Sequence, residues 1–256
     1  MTILQTIIMA ITEGLTEFLP ISSTGHMILI SDLLKIQQTA FVKDFEIFIQ
    51  LGAILAVVVL YLPKFIKPSK DWVKIIVGFI PTAVIGLILY KIVKTYLLGN
   101  TLIVAVALLL GGIALLVLEW WFKSRQPVIN SIDEVNYQKS ATLGLFQAIS
   151  IIPGVSRSAA TISGGMILGM TRKLAVEFSF LLAVPTMIAA SGLDLVKSGW
   201  HFSGREYLLL GIGFVVAFLT AMIAVKAFVK YVESHSFVTF AIYRIVLGVV
   251  VLLLVR

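Results

Sequence analysis

Long apolar runs separated by short polar gaps follow one another along the chain. Six runs approach the roughly 20 residues that a helix needs to cross a bilayer. They cover residues 45–62, 73–90, 101–121, 176–196, 207–229 and 237–255. This pattern predicts transmembrane helices, and the third run ends in Trp120 and Trp121, aromatic residues that favour a membrane interface.

Two further apolar stretches are each interrupted before they are long enough to span. Residues 2–12 and 27–34 lie on either side of the first elbow, the polar stretch of residues 12–26. Residues 141–152 and 159–170 lie on either side of the sequence PGVSRS in the second elbow, residues 152–161. Pro20 and Pro153 break the helices there, and the serines that follow are residues that cap new ones. Broken backbone at membrane depth requires shielding by protein or a water-filled cavity. Each stretch therefore predicts a re-entrant helix hairpin.

The order of these elements repeats. Each half has one hairpin followed by three spans, and FEIFIQLGAILA in the first half resembles EFSFLLAVPTMIA in the second. Because three is odd, the second copy must insert upside down. We predict an all-α polytopic integral membrane protein, a single membrane domain over residues 1–256. It would be an inverted repeat, with repeat one about residues 1–121 and repeat two about residues 140–256.

Composition agrees with this class of protein. The chain is 59% hydrophobic and 13% charged, against about 25% charged in soluble domains, and its mean hydropathy is +1.06. The absence of cysteine excludes disulfides and thiolate chemistry. The net charge of +7 fits basic loops at an anionic membrane surface, and no nucleic-acid partner is predicted.

Basic residues also suggest an orientation. They are more numerous on the side of Lys64, Lys123 and Arg172, which is therefore predicted to be cytoplasmic. The first hairpin would then enter from outside and the second from inside.

Three charged residues fall at membrane depth: Glu13, Glu17 and Arg157. Each costs roughly 2.5 to 3.5 kcal/mol at a helix centre if unpaired. One interpretation is a Glu–Arg pair that joins the hairpins, although that leaves one acid over. The other is functional: the excess acid holds a cation or handles protons, while the planar fork of Arg157 binds a phosphate or carboxylate. A helix N-terminus at Ser156 and Ser158 would favour the same anion.

The polar residues of the first elbow admit several roles. Capping explains at least one of Ser22, Ser23 and Thr24, and any of them is also a candidate nucleophile or phosphate donor. His26 is a candidate general acid or base, a nucleophile or an interface residue. Arg244 is a further buried charge, interpreted either as the partner of an acid such as Glu46 or Glu177 or as part of the site.

The two motifs EGLTEFLPISSTGH and PGVSRSAATISGGM, in this order, resemble the bacitracin-resistance type of undecaprenyl-diphosphate phosphatase. This is an integral membrane family of bacteria, and the resemblance covers essentially the whole chain. It implies hydrolysis of undecaprenyl diphosphate to the monophosphate and inorganic phosphate, which recycles the lipid carrier for cell-wall synthesis. It also implies a multi-pass protein of the bacterial inner membrane, with a site open to the periplasmic face.

The resemblance also implies which residues act. Glu13 and Glu17 match the acidic motif and would hold a divalent cation, Mg²⁺ or Ca²⁺. The matching hydroxyl, histidine and phosphate-binding positions are Ser22, Ser23, Thr24, His26, Ser156, Arg157, Ser158 and Thr161. The nucleophile stays open between Ser23, His26 and a metal-bound water. Membrane lipid would surround the substrate's tail, and a homodimer is allowed.

A transporter or lipid flippase is the main alternative, because inverted repeats with re-entrant hairpins are also typical of secondary transporters. A channel fits less well, since neither elbow has a ring of repeated ligands. A carrier needs no nucleophile, so loss of turnover with retained binding after substitution of Ser23 or His26 would favour the enzyme.

Overall fold

The structure is a computed structural model that describes residues 1–66, 70–198 and 202–254. Within these ranges the chain is helical apart from its loops and one isolated β-bridge between Ile129 and Met170. The α-helices are α1 (Ile3–Thr16), α2 (Ser23–Leu33), α3 (Ala40–Leu60), α4 (Leu62–Ile66), α5 (Lys70–Ile92), α6 (Thr101–Phe122), α7 (Tyr137–Ala148), α8 (Arg157–Ile167), α9 (Arg172–Ser198), α10 (Gly204–Val232) and α11 (Val238–Leu254).

Four helical segments in the described ranges are long and apolar enough to cross a membrane by length and composition: Asp71–Leu97, Thr101–Phe122, Arg172–Asp194 and Gly204–Val232. The chain is thus a helical, multi-pass membrane protein. The other two predicted spans are α3 and α11. The first turns of α3 carry Lys43, Asp44 and Glu46, and α11 has 17 described residues, since Val255 lies outside the described part of the chain.

Both predicted breaks are present. α1 continues through Glu13 to Thr16 and is capped by Glu17, after which α2 begins at Ser23. In the second half α7 ends at Ala148, a short 3₁₀ turn follows, and α8 begins at Arg157. These are pairs of short helices, each joined by an irregular elbow.

Each short helix packs against the opposite half of the chain as well as against its own partner. α1 lies on α10, and α7 lies on α5. α3 contacts α9 and α10, while α6 pairs with α11. The main core contains Phe18 of the first elbow, packed edge-on against Phe180 of α9 with ring centroids 5.5 Å apart. The first elbow is thereby packed against α9.

Candidate active site between the two elbows

Each elbow turns on a serine with an unusual backbone conformation. Ser22 has φ 68° and Ser156 has φ 73°, values in the left-handed region that side chains other than glycine rarely adopt. Each caps the helix that follows: Ser22 Oγ accepts from the Gly25 N–H, and Ser156 Oγ accepts from the Ala159 N–H. Such strain, about 1 to 3 kcal/mol per residue, concentrates at functional sites. The two elbows therefore share the same backbone feature at a capping serine.

Glu17 and Arg157 join the elbows. Arg157 Nη2 donates to Glu17 Oε1 at 3.2 Å, and both side chains are nearly buried. The other carboxylate oxygen of Glu17 accepts a 2.6 Å hydrogen bond from Ser23 Oγ. The Glu–Arg pair expected from the sequence is therefore present, and it also holds the candidate nucleophile.

Arg157 is fixed from several sides. Its Nη1 donates to the Ser179 carbonyl and hydroxyl at 3.1 and 3.3 Å, and its guanidinium lies over the Phe18 ring, 5.4 Å from the centroid. Thr161 Oγ1 is 2.6 Å from Ser179 Oγ. Among the described residues Arg157 Nε, although buried, has no hydrogen-bond partner. The site thus keeps one inward N–H donor uncommitted.

Glu13 is the acid left over. It is 2% exposed on α1, one turn before Glu17, with Gln50 also adjacent. Its Oε1 is buried and finds no hydrogen-bond partner in the described part of the chain. The site therefore also keeps one carboxylate oxygen uncommitted.

The remaining predicted residues either stabilise the elbows through hydrogen bonds or are exposed to solvent or lipid. Ser158 Oγ donates to the Leu19 carbonyl at 2.7 Å, a second link between the elbows, and Ser156 Oγ lies 3.0 Å from Ser158 Oγ. Thr161 also donates to backbone carbonyls of its own helix. Thr24 is exposed on the first turn of α2. In this conformation Ser156 thus caps α8, and Ser158 links the two elbows.

Both ring nitrogens of His26 are bound to residues other than Glu17 and Arg157. Its Nδ1 is 2.8 Å from the Ser22 carbonyl and its Nε2 is 2.7 Å from the Tyr243 hydroxyl. Ser23 is bound to Glu17 instead of to His26. The structure therefore does not join Ser23 and His26 in a hydrogen-bonded pair.

Arg244 has a role that the sequence analysis did not predict. It is fully buried, and its guanidinium donates to the carbonyls of Pro20, Ala107 and Gly154, each at 3.2 Å. Arg244 forms no ion pair with Glu46 or Glu177 in the described part of the chain, so the suggested pairing is wrong; Glu177 pairs with Lys64 instead. α11 lies beside α2 and α6, so Arg244 reaches the carbonyls of both elbows as well as one carbonyl of unbroken α6.

Sequence reasoning also missed Ser179 and Tyr243. Both are polar residues in the largely apolar segments EFSFLLAVP and FAIYRIVLG. Polar residues in such helices usually face the bundle interior, which was the available signal. Their partners could not be read from the sequence, because these depend on how α9 and α11 meet the elbows.

An apolar groove of about 690 Å³ opens beside His26 and Tyr243. Side chains of α1, α2, α10 and α11 line it, among them Ile11, Leu29 and Phe240. The charged cluster and an apolar channel thus lie on two sides of the same elbow.

These features define the class: a helical membrane protein with a buried acid–base cluster between two interrupted helices and an apolar groove beside it. The chain belongs to the family of the bacitracin resistance protein BacA, whose model matches residues 6–250.

Curated relatives extend this likeness over nearly the full length. A protein of Wolinella succinogenes is 53% identical over 252 residues, covering 98% of both chains. One of Aquifex aeolicus is 50% identical over 250 residues, covering 98% of this chain and 97% of its own, and one of Persephonella marina is 49% identical over the whole of both chains. All three are named undecaprenyl-diphosphatase.

Arg244→Met tests whether Arg244 stabilises the two elbows. The substitution removes this donor from the buried elbow carbonyls of Pro20 and Gly154, and each loss costs about 1 to 3 kcal/mol. We expect a markedly lower thermal midpoint of the detergent-solubilised protein. Arg125→Met is the control, since exposed Arg125 only stacks on Trp121. Equal midpoints for the two variants would contradict a structural role of Arg244.

Proposed function

We propose that this protein hydrolyses undecaprenyl diphosphate to undecaprenyl phosphate and inorganic phosphate, and so recycles the lipid carrier for cell-wall synthesis. It is an enzyme of the undecaprenyl-diphosphatase type, as its full-length relatives are named. The observation that carries the assignment is the pair of uncommitted atoms at the elbows. Arg157 Nε is a free donor for a phosphate oxygen, and Glu13 Oε1 is a free acceptor for a cation.

A divalent cation, Mg²⁺ or Ca²⁺, fits these residues. Within the described ranges no group of three or more Asp, Glu or His side chains is arranged around one metal position. Mg²⁺, however, is commonly held by one or two carboxylates together with substrate phosphates and water. Glu13 and Glu17 would hold it, and the bound ion would neutralise charge on the diphosphate.

In the proposed reaction Ser23 Oγ attacks the terminal phosphorus. The bond from that phosphorus to the bridging oxygen breaks, undecaprenyl phosphate leaves, and Glu17 accepts the Ser23 proton across their 2.6 Å hydrogen bond. Water then attacks the phosphorus of the phosphoserine, the bond from that phosphorus to Ser23 Oγ breaks, and Glu17 returns the proton to this oxygen. His26, one turn further along α2, accepts the proton of that water, and inorganic phosphate is released.

Arg157 and the second elbow stabilise the charge. The guanidinium is held by Ser179 and Glu17, so it needs little reorganisation when charge develops on the phosphate oxygens. The N-terminus of α8 starts at the same residue and adds its first N–H groups. Ser156, Ser158 and Thr161 hold this elbow in place, and exposed Thr24 is available to an entering phosphate.

The finer architecture is part of the proposal. Two re-entrant hairpins in an inverted repeat of about residues 1–121 and 140–256 are supported by the matching strain at Ser22 and Ser156. They are also supported by the packing of α1 on α10 and α7 on α5. We place the protein in the bacterial inner membrane with the site opening to the periplasmic face, as the family resemblance implies. A homodimer stays a prediction.

Loss of phosphate release in three variants tests the reaction. We expect Glu17→Gln, Arg157→Lys and Ser23→Ala each to reduce phosphate release from undecaprenyl diphosphate by about 100-fold or more, as loss of one preorganised group often does. Glu233→Gln is the matched control, because Glu233 forms an exposed pair with Lys173. No release from a folded wild type that still binds the lipid would favour the transporter alternative.

Chelation tests the cation. EDTA should abolish release and added Mg²⁺ or Ca²⁺ should restore it, while Glu13→Gln should raise the metal concentration needed for half-maximal activity. The reason is that Glu13 supplies a carboxylate oxygen with no other partner. Full activity of the wild type in excess EDTA would contradict the metal.

The apolar groove is proposed to hold the first part of the prenyl tail. Ala227→Trp would fill part of it and should raise KM for undecaprenyl diphosphate several-fold with a smaller effect on kcat. Ala114→Trp, at an exposed position of α6 outside the groove lining, is the control. An unchanged KM in both variants would place the tail elsewhere.

A further inference from the structure

Tyr243 touches the catalytic region but has no part in the mechanism above. It lies on α11, directly before Arg244, and its hydroxyl is 2.7 Å from His26 Nε2. The two rings are nearly parallel, with 8° between their planes and centroids 5.5 Å apart. Tyr243 is 45% exposed toward the apolar groove, whereas His26 is 8% exposed.

The hydrogen bonds determine where the proton of a neutral His26 resides. The Ser22 carbonyl can only accept, so the Nδ1 that lies 2.8 Å from it must carry the hydrogen. Nε2 is then the unprotonated nitrogen, and the Tyr243 O–H must donate to it. The Ser22 carbonyl also accepts from the His26 backbone N–H at 3.5 Å, as the carbonyl of a helix N-cap residue does.

Tyr243 is itself held in place by its neighbour. Arg244 is bound to carbonyls of both elbows and of α6, which fixes the height and rotation of α11. The phenol is therefore presented to His26 by a helix anchored to the active-site backbone. The hydrogen bond between Tyr243 and His26 joins residues 217 positions apart in the sequence. It is thus a specific contact between α2 and α11.

We propose that Tyr243 is a positioning residue for His26. Its hydroxyl keeps Nε2 as the basic nitrogen and holds the imidazole plane in one orientation at the mouth of the groove. When the water of the second step arrives, the half-exposed Tyr243 hydroxyl releases its hydrogen bond to Nε2, and Nε2 becomes available to that water. The expected kinetic effect rests on the proposed function, whereas the tautomer of His26 does not depend on it.

Two measurements on Tyr243→Phe test this role. Phe keeps the ring that lies against His26 and removes only the donor. We expect kcat for phosphate release to fall about two- to tenfold with KM unchanged, as loss of one neutral hydrogen bond suggests. Tyr90→Phe is the matched control, since it removes a tyrosine hydroxyl that donates to Asp194 on the side of α9. Its kinetics should match the wild type.

The second measurement is ¹⁵N NMR of the imidazole nitrogens in the purified protein, without substrate. The chain has three histidines, and a His26→Asn variant assigns the signals. The wild type should show one His26 tautomer, with the hydrogen on Nδ1. In Tyr243→Phe the Nε2 signal should move or a second tautomer should appear, with His235 unchanged.

The outcomes separate the two proposals. Unchanged His26 signals in Tyr243→Phe, or kcat within experimental error of the wild type, would overturn the positioning role even if the enzyme is active. A raised KM at constant kcat would make Tyr243 a substrate-binding residue and would also overturn it. A wild type that releases no phosphate would count against the reaction, while the NMR result would still decide whether Tyr243 sets the His26 tautomer.

Discussion

Helices that break inside a membrane leave backbone carbonyls and N–H groups that lipid cannot satisfy, and this constraint governs the structure. Both elbows of this protein solve it with side chains. Arg244 donates to one carbonyl of each elbow, and Ser158 donates to the first elbow from the second. The same contacts that make the breaks tolerable also bring Glu17 and Arg157 within hydrogen-bond distance. Stability of the bundle and assembly of the site thus depend on one set of interactions.

The site is preorganised because nearly every polar atom in it has a protein partner. Glu17 is held by Ser23 and Arg157, and Arg157 by Ser179. Glu13 Oε1 and Arg157 Nε, which have no hydrogen-bond partner among the described residues, have opposite character. A phosphate with its counter-cation needs one acceptor and one donor of this kind. Catalysis of phosphoryl transfer depends mainly on positioning and charge, which is what a rigid cluster in a low-dielectric interior can provide.

Much of this could be predicted from the sequence, because the signals are local. Apolar run lengths indicated the membrane helices, Pro20 and Pro153 indicated the elbows, and the leftover acid at Glu13 followed from counting charges. The motifs led to the correct family. What failed depends on the packing of distant helices. The acid partner suggested for Arg244 was wrong because three carbonyls from separate segments surround it. The Tyr243 contact with His26 could not be seen, because it depends on the rotation of α11 against α2.

The position of Arg244 in the chain has a consequence for the order of events during synthesis. A ribosome makes the carbonyls of Pro20, Ala107 and Gly154 long before it makes the guanidinium that ties them together. Until α11 is inserted, the elbows lack a shared donor and must be shielded by other means, such as water, lipid headgroups or the insertion machinery. The nascent chain would therefore be inactive and vulnerable until late in its translation. Activity would begin only when the last described helix has joined the bundle.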